Sequence, residues 1–256
     1  MVAVAVVLPL AAYLLQDRLI FYPQRTGHAR RAEIASRFPA VRELFIDAAD
    51  RTRLHAWFLK SGPDLVLYFG GNAEEVSWMT DAAAAQTPGV SWLLTDYRGY
   101  GASRGSPSER NLVSDALAWH GYAVHELHAG KIFALGRSLG GGVAAWLAAR
   151  RPLAGVILVT PFDSLTAVAQ RYYPYLPVKW LLRHRFDPLS LAPGIGLPML
   201  CLVAGRDEVV PPAHAERLCE AWGGPKRKVI LAGAQHNDAD AAPEFWPSIR
   251  RFLDVK

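Results

Sequence analysis

The sequence predicts an α/β fold, a mostly parallel sheet covered by helices on both faces. Two observations carry this. Short apolar runs such as "DLVLYF", "KIFALG", "AGVILVT" and "MLCLVAG" are continuous, as strands buried on both sides require. Segments of helical periodicity separate them, so strand and helix alternate along the chain. No repeat or low-complexity linker interrupts the pattern. Residues 17–256 are therefore read as a single domain, preceded by an apolar segment over residues 1–16.

That first segment, "VAVAVVLPLAAYLL", spans about 21 Å as a helix at ~1.5 Å per residue. A bilayer core is about 30 Å thick, so it is short for a span. It also lacks a basic leader and a small-residue cleavage site, and reads as a membrane anchor rather than a signal peptide. Arg18, Arg25, Arg30 and Arg31 follow, and the positive-inside tendency places the domain on the cytoplasmic side. Next, "ELFIDAADRTRLHAWFLK" reads as two strands joined by a polar turn. "DLVLYFG" is a strand, and residues 72 to about 87 form a helix. "VSWLLTDYRGYG" is a strand entering a glycine-rich loop. "SPSE", residues 106–109, fits a capping box with Pro107 at the first helical position. The strand "KIFALG", the helix "GGVAAWLAARR" and the strand "AGVILVT" come next. A short cap at about 165–198, the strand "MLCLVAG", a helix over 212–222, the strand "KVILAGA" and a helix over 243–255 complete the chain.

Composition narrows the function classes. With 51% hydrophobic residues, the chain can bury a sizeable core. The net charge of +5 comes from scattered basic residues without a block, which speaks against nucleic acid and for an anionic lipid surface. Cys201 and Cys219 read as buried free thiols. The 8 histidines show no metal-ligand spacing, and His125 and His128 sit on a solvated helix end, so neither metal nor cofactor is expected.

The chemistry concentrates at "ALGRSLGGGV". Gly136-Arg137-Ser138-Leu139-Gly140 joins a strand to a helix, the context in which G-x-S-x-G forms a nucleophile elbow. A serine hydroxyl needs a base, and the base needs an orienting acid. In this architecture they follow in the order serine, acid, histidine, each on a loop after a strand. "LVAGRDEVV" offers Asp207 and "ILAGAQHND" offers His236; Asp163 in "TPFDSL" is the alternative acid. The oxyanion needs backbone donors. Leu139 N–H is one. The loop of Gly70, Gly71, Asn72 and Ala73 supplies the other, with Asn72 N–H first and Ala73 second.

On "GRSLGGG", "DYRGYGASRGSPSE", "TPFDSL", "AGRDEVVP", "GAQHND" and "RLIFYPQR" behind an apolar start, the chain resembles the α/β-hydrolase superfamily over nearly all of residues 17–256. It is most similar to the membrane-anchored, serine aminopeptidase-like branch, which is akin to the protein depalmitoylases. The resemblance implies the α/β-hydrolase fold and the triad Ser138, Asp207 and His236. One position departs: the family usually has His-Gly-Asn where this chain has Gly70, Gly71 and Asn72, which removes a side chain that supports the oxyanion loop.

The short cap carries Tyr172, Tyr173, Tyr175, Trp180 and Phe186, placed to line an acyl groove, touch a membrane or pack the cap on the sheet. The expected function is a serine hydrolase of carboxylic esters or thioesters, acting on a small or acylated substrate. The alternatives are a peptidase of the same mechanism, or a non-catalytic membrane-associated binding module on a hydrolase fold.

Overall fold

A computed structural model describes residues 2–255, with residues 2–6 and 8 as backbone only. Met1 and those side chains, part of the expected anchor, lie outside the described residues. In chain order the elements are α1 (Val2–Ile20), α2 (His28–Arg37), β1 (Val41–Asp47), β2 (Arg53–Leu59), β3 (Asp64–Phe69), α3 (Met79–Gln86), β4 (Val90–Asp96), α4 (Glu109–His125), β5 (Ile132–Arg137) and α5 (Leu139–Ala148). There follow β6 (Gly155–Val159), α6 (Leu165–Tyr172), α7 (Val178–Leu181), α8 (Pro188–Leu191), β7 (Met199–Ala204), α9 (Pro212–Ala221), β8 (Lys226–Leu231) and α10 (Phe245–Phe252).

The strands form one 8-stranded sheet in the order β1-β2-β4-β3-β5-β6-β7-β8. Only β2 runs against its neighbours; the pairs from β4 to β8 are parallel. The α/β-hydrolase fold expected above is therefore the fold observed. Successive strand residues feed opposite cores. Leu65, Leu67 and Phe69 of β3 join α4 and α5 through Leu112, Trp119, Val143 and Leu147. Val66 and Tyr68 join α3 and α10 through Met79, Ala83, Phe245 and Ile249. The edge strand β8 begins with exposed Lys226, Arg227 and Lys228, charges that discourage edge pairing.

Strand order positions the site. β3 pairs with β4 on one side and β5 on the other. The chain leaves β3 for β4, then crosses back to β5, so the loops after β3 and β5 meet at a switch point at the carboxyl ends of the strands. The "DYRGYGAS" segment braces the β2–β4 side. Arg98 clasps Asp115 with two bonds of 2.7 Å, and His55 Nδ1 meets Asp96 at 2.6 Å. Gly101, at φ 49°, passes so close that a Cβ there would fall 1.8 Å from Asp96 Oδ2.

Two local expectations need correction. The helix expected from residue 72 begins at Met79 after a 3-10 turn (Val76–Trp78), because residues 72–75 are drawn into the site described below. The cap of α4 is Ser108 rather than Ser106: its hydroxyl accepts the Asn111 N–H, while Glu109 faces the cap and accepts the N–H groups of Arg185 and Phe186. The helix starts where the first side chain that reaches the third N–H sits.

Glycine at 140 is dictated by space. A Cβ there would lie 2.1 Å from the Phe69 carbonyl oxygen. Gly140→Ala is expected to cost about 3 kcal/mol or more in urea unfolding. Gly121→Ala, on α4 with nothing within 4 Å of its Cβ position, is expected to stabilise by about 0.5–1 kcal/mol.

Candidate active site

Ser138 sits between β5 and α5 at φ 49°, ψ −114°, a strained conformation for a residue with a side chain. Its N–H is held by the Val159 carbonyl at 2.9 Å. The sharp turn demands glycine two residues before and after: a Cβ on Gly136 would fall 2.2 Å from the Gly140 carbonyl oxygen. The helix α5 starts at once, and the N-terminal end of its dipole lies beside the hydroxyl.

The loops after β7 and β8 bring two further side chains to this serine. His236 Nε2 lies 2.9 Å from Ser138 Oγ, and its Nδ1 lies 2.7 Å from Asp207 Oδ2. Both His236 and Asp207 are buried. A carboxylate at Nδ1 fixes the neutral tautomer, leaving the Nε2 lone pair toward the serine hydroxyl. Asp207 Oδ1 accepts the N–H groups of Val209 and Val210 at 3.0 and 2.7 Å, which immobilises the carboxylate. Arg137 braces the histidine loop, donating from Nη2 to the Asn237 carbonyl at 2.9 Å.

Asp163 is committed elsewhere. His214 Nδ1 and Arg217 Nε each approach it at 2.7 Å. Burial pushes its carboxyl up, but the bonds from His214 and Arg217 outweigh burial and hold it below the ordinary carboxylate range. The two histidine–aspartate pairs are alike in geometry, and only one faces Ser138.

The loop after β3 runs beside the serine; a Cβ on Gly71 would lie 3.7 Å from Ser138 Cβ. Gly71 N–H donates to Glu74 at 2.6 Å, and Ala73 N–H donates to Asn72 Oδ1 at 3.0 Å. The N–H groups of Asn72 and Leu139 have no partner among the described residues. The Asn72 side chain turns away from the serine: Oδ1 accepts from Tyr22 N–H and Tyr100 Oη, and Nδ2 donates to the Ile20 carbonyl.

A pocket of about 760 Å³ opens above Ser138 and His236. One side of its wall is apolar, with Ala12, Leu19 and Ile20 from α1, Val168 and Tyr172 from α6, then Leu176, Leu181 and Leu182; Glu74, Glu75 and Arg137 also line it. The N-terminal segment thus contributes to the site, and α1 continues through residue 16, where the anchor was expected to end. Of the cap aromatics, Tyr172 and Tyr173 line the pocket, Phe186 is buried, and Tyr175 and Trp180 are 96% and 82% exposed.

Residues 63–191 match the family described as serine aminopeptidase, S33. A Mycobacterium tuberculosis protein, described as uncharacterized, is 37% identical over 248 residues, covering 93% of this chain and 87% of its own. The chain belongs to this family of α/β hydrolases. A Saccharomyces cerevisiae relative, described as an uncharacterized membrane protein, is 31% identical over 270 residues, covering 100% of this chain and 95% of its own. An esterase of Pyrococcus furiosus superimposes with TM-score 0.70 at 19% identity, covering 92% of this chain and 96% of that one, a likeness of fold. Several contacts in this α/β hydrolase escaped sequence reading: Glu74, Tyr100, Arg137 and the α1 residues Gln16 and Ile20. No motif marks them: Tyr100, Arg137, Gln16 and Ile20 act through partners remote in sequence, and Glu74 through a turn that folds it back onto its near neighbours.

The two aspartates separate by experiment. Asp207→Asn is expected to slow fluorophosphonate labelling of Ser138 at least about 100-fold while the fold persists. Asp163→Ala is expected to destabilise by about 3 kcal/mol and leave the labelling rate within a few-fold of wild type. Because the folded Asp163 value is depressed, its stabilisation is present above about pH 4 and fades as pH falls through that value.

Proposed function

We propose that this hydrolase is a serine esterase or thioesterase working through an acyl-enzyme on Ser138. The observation that carries the reading is the chain of contacts from Ser138 Oγ to His236 to Asp207 at the base of an apolar pocket. His236 Nε2 removes the hydroxyl proton as Oγ attacks the acyl carbon. The imidazolium that forms faces the Asp207 carboxylate, which stabilises it without taking its proton. The N–H groups of Leu139 and Asn72, which have no hydrogen-bond partner among the described residues, receive the developing oxyanion. Collapse of the tetrahedral adduct breaks the bond to the alkoxide or thiolate, which leaves with the proton held on His236. Water then repeats the sequence on the acyl-enzyme, delivering its proton to His236 and releasing the acid.

The apolar residues that α1 and α6 contribute to the lining support an acyl chain as the group held, while Glu74, Glu75 and Arg137 line the pocket elsewhere. Membrane association supports the same class of substrate. Val7, Leu10 and Leu14 of α1 are 61%, 53% and 64% exposed, and Trp180 of the neighbouring α7 is exposed too. Lys179 precedes Trp180 on α7, as suits an anionic lipid surface. Among the described residues no helix is long and apolar enough to cross a membrane. The exposed apolar face of α1 supports a helix lying at the membrane interface. The family description also favours a peptidase of identical mechanism as the second reading.

A p-nitrophenyl ester series from acetate to palmitate tests the reading. The wild type is expected to prefer hexanoate or longer over acetate, and Ser138→Ala to lose at least about 10⁴-fold in kcat. Turnover that survives in Ser138→Ala sinks the proposal. Aminoacyl p-nitroanilides hydrolysed faster than every ester would move the assignment to the peptidase. For the membrane, Leu10→Glu with Leu14→Glu is expected to lower partitioning onto anionic vesicles at least about tenfold, with turnover of soluble acetate esters retained. Unchanged partitioning would remove the interfacial role of α1.

A further inference from the structure

The loop that carries the Asn72 N–H has no histidine at position 70, yet it is held from below. Glu74 reaches back under it, and its side chain is only 9% exposed. One carboxylate oxygen accepts the Gly71 N–H at 2.6 Å. The other accepts from Trp78 Nε1 at 2.9 Å and from the Tyr68 hydroxyl. Burial, followed by the Glu74 charge, pushes the Tyr68 hydroxyl well above its ordinary value, so it stays a donor. Arg137 stands 3.9 Å from the same carboxylate and stacks over the Trp78 ring.

Position 70 explains the arrangement. A Cβ on Gly70 would lie 3.2 Å from Glu74 Cδ and 3.0 Å from Val76 Cγ1. The Glu74 carboxyl thus fills the space toward which a side chain at 70 would project. The Gly70 carbonyl is held separately, by the Tyr97 hydroxyl at 2.8 Å. These two bonds fix the 70–71 peptide; the next peptide, which bears the Asn72 N–H, joins it through Gly71 and is tethered on its far side by the Asn72 side chain's bonds to Tyr22, Tyr100 and Ile20.

We propose that Glu74 is the positioning residue of the oxyanion loop, holding the Asn72 N–H in place by its bond to Gly71 and filling the space left by Gly70. The proposal rests on the acyl-enzyme reading above, because it acts through the oxyanion donor. Glu74 touches no reacting atom. Its effect falls on the transition state and leaves ground-state binding alone. Losing a single oxyanion donor costs about 10²–10³ in kcat, which sets the scale for a loop that no longer presents it.

The test compares wild type, Glu74→Ala, Glu74→Gln and Asp81→Ala, a half-exposed control on α3. Three quantities are read: kcat and KM on the preferred p-nitrophenyl ester, the affinity of an alkyl boronic acid that forms a tetrahedral adduct on serine, and the rate of fluorophosphonate labelling of Ser138. Glu74→Ala is expected to lose about 100-fold in kcat and in boronate affinity, with KM within threefold. Glu74→Gln keeps one acceptor oxygen and is expected to lose about tenfold, a partial rescue; it also decides the matter if the alanine variant does not fold. Asp81→Ala is expected to match wild type. A folded Glu74→Ala or Glu74→Gln with wild-type kcat and labelling overturns the role of Glu74 and leaves the hydrolase reading standing. Parallel loss in kcat, KM and thermal stability, with boronate affinity falling no more than substrate binding, overturns it too by making Glu74 merely structural. A wild type that neither turns over an ester nor labels with the fluorophosphonate overturns the acyl-enzyme reading itself, and this proposal with it.

Discussion

The rest of the site depends on one close approach, where the turn after β5 meets the end of β3. Gly140 lies against the Phe69 carbonyl and Gly136 against the Gly140 carbonyl, at separations that leave no room for a methyl group. This crowding lets the chain reverse within one residue, and that residue, Ser138, carries the strain. The surrounding structure over-determines the turn. β5 is paired on both sides, α5 is buried against both neighbouring strands, and the serine N–H is locked to β6 through Val159. A side chain held this way stands above the sheet without rotating away from the loops that face it.

Those loops reach the serine because every parallel strand ends on the same side. The loops after β3, β5, β7 and β8 then differ only in what they present: backbone donors, a hydroxyl, a carboxylate and an imidazole. The loop after β6 presents Asp163 to His214 of α9, a buried pair whose carboxylate–imidazole contact resembles that of Asp207 and His236 but also includes Arg217 and does not reach the serine. There, the carboxylate binds α9, and the Asp163 backbone carbonyl accepts the Leu189 N–H of the cap segment. A buried ion pair of this kind is compatible with architecture or chemistry, and distance to a nucleophile decides between them.

The N-terminal helix is part of the same assembly. Gln16 is buried, donating to the Leu181 carbonyl and accepting the Arg183 N–H, and Asp17 pairs with Arg183 and His184. Phe21 packs edge-on against His184 and Phe186. The chain just beyond then binds Asn72 through Ile20 and Tyr22. One continuous set of contacts therefore links α1, the cap and the loop that passes Ser138. The helix that exposes apolar side chains on one face lines the pocket on the other.

By itself the sequence determined the alternation of strands and helices, the elbow and its serine, and the order of serine, acid and histidine. Each of these is local: continuous apolar runs, glycines at fixed offsets from Ser138, polar residues directly after strands. Where a local reading failed, a distant partner had intervened. Glu109 looked like the far end of a capping box and instead holds the backbone of the cap 76 residues away. In the sequence Asp207 is the first choice of acid and Asp163 the alternative, since both follow strands. The tertiary structure brings α9 to Asp163 and the last loop, with His236, to Asp207. It alone also brought α1 into the pocket wall, which depends on which surfaces meet once the sheet has formed. Glu74 is close in sequence to Gly71, Trp78 and Tyr68, but only the turn after β3 folds its carboxylate back onto them.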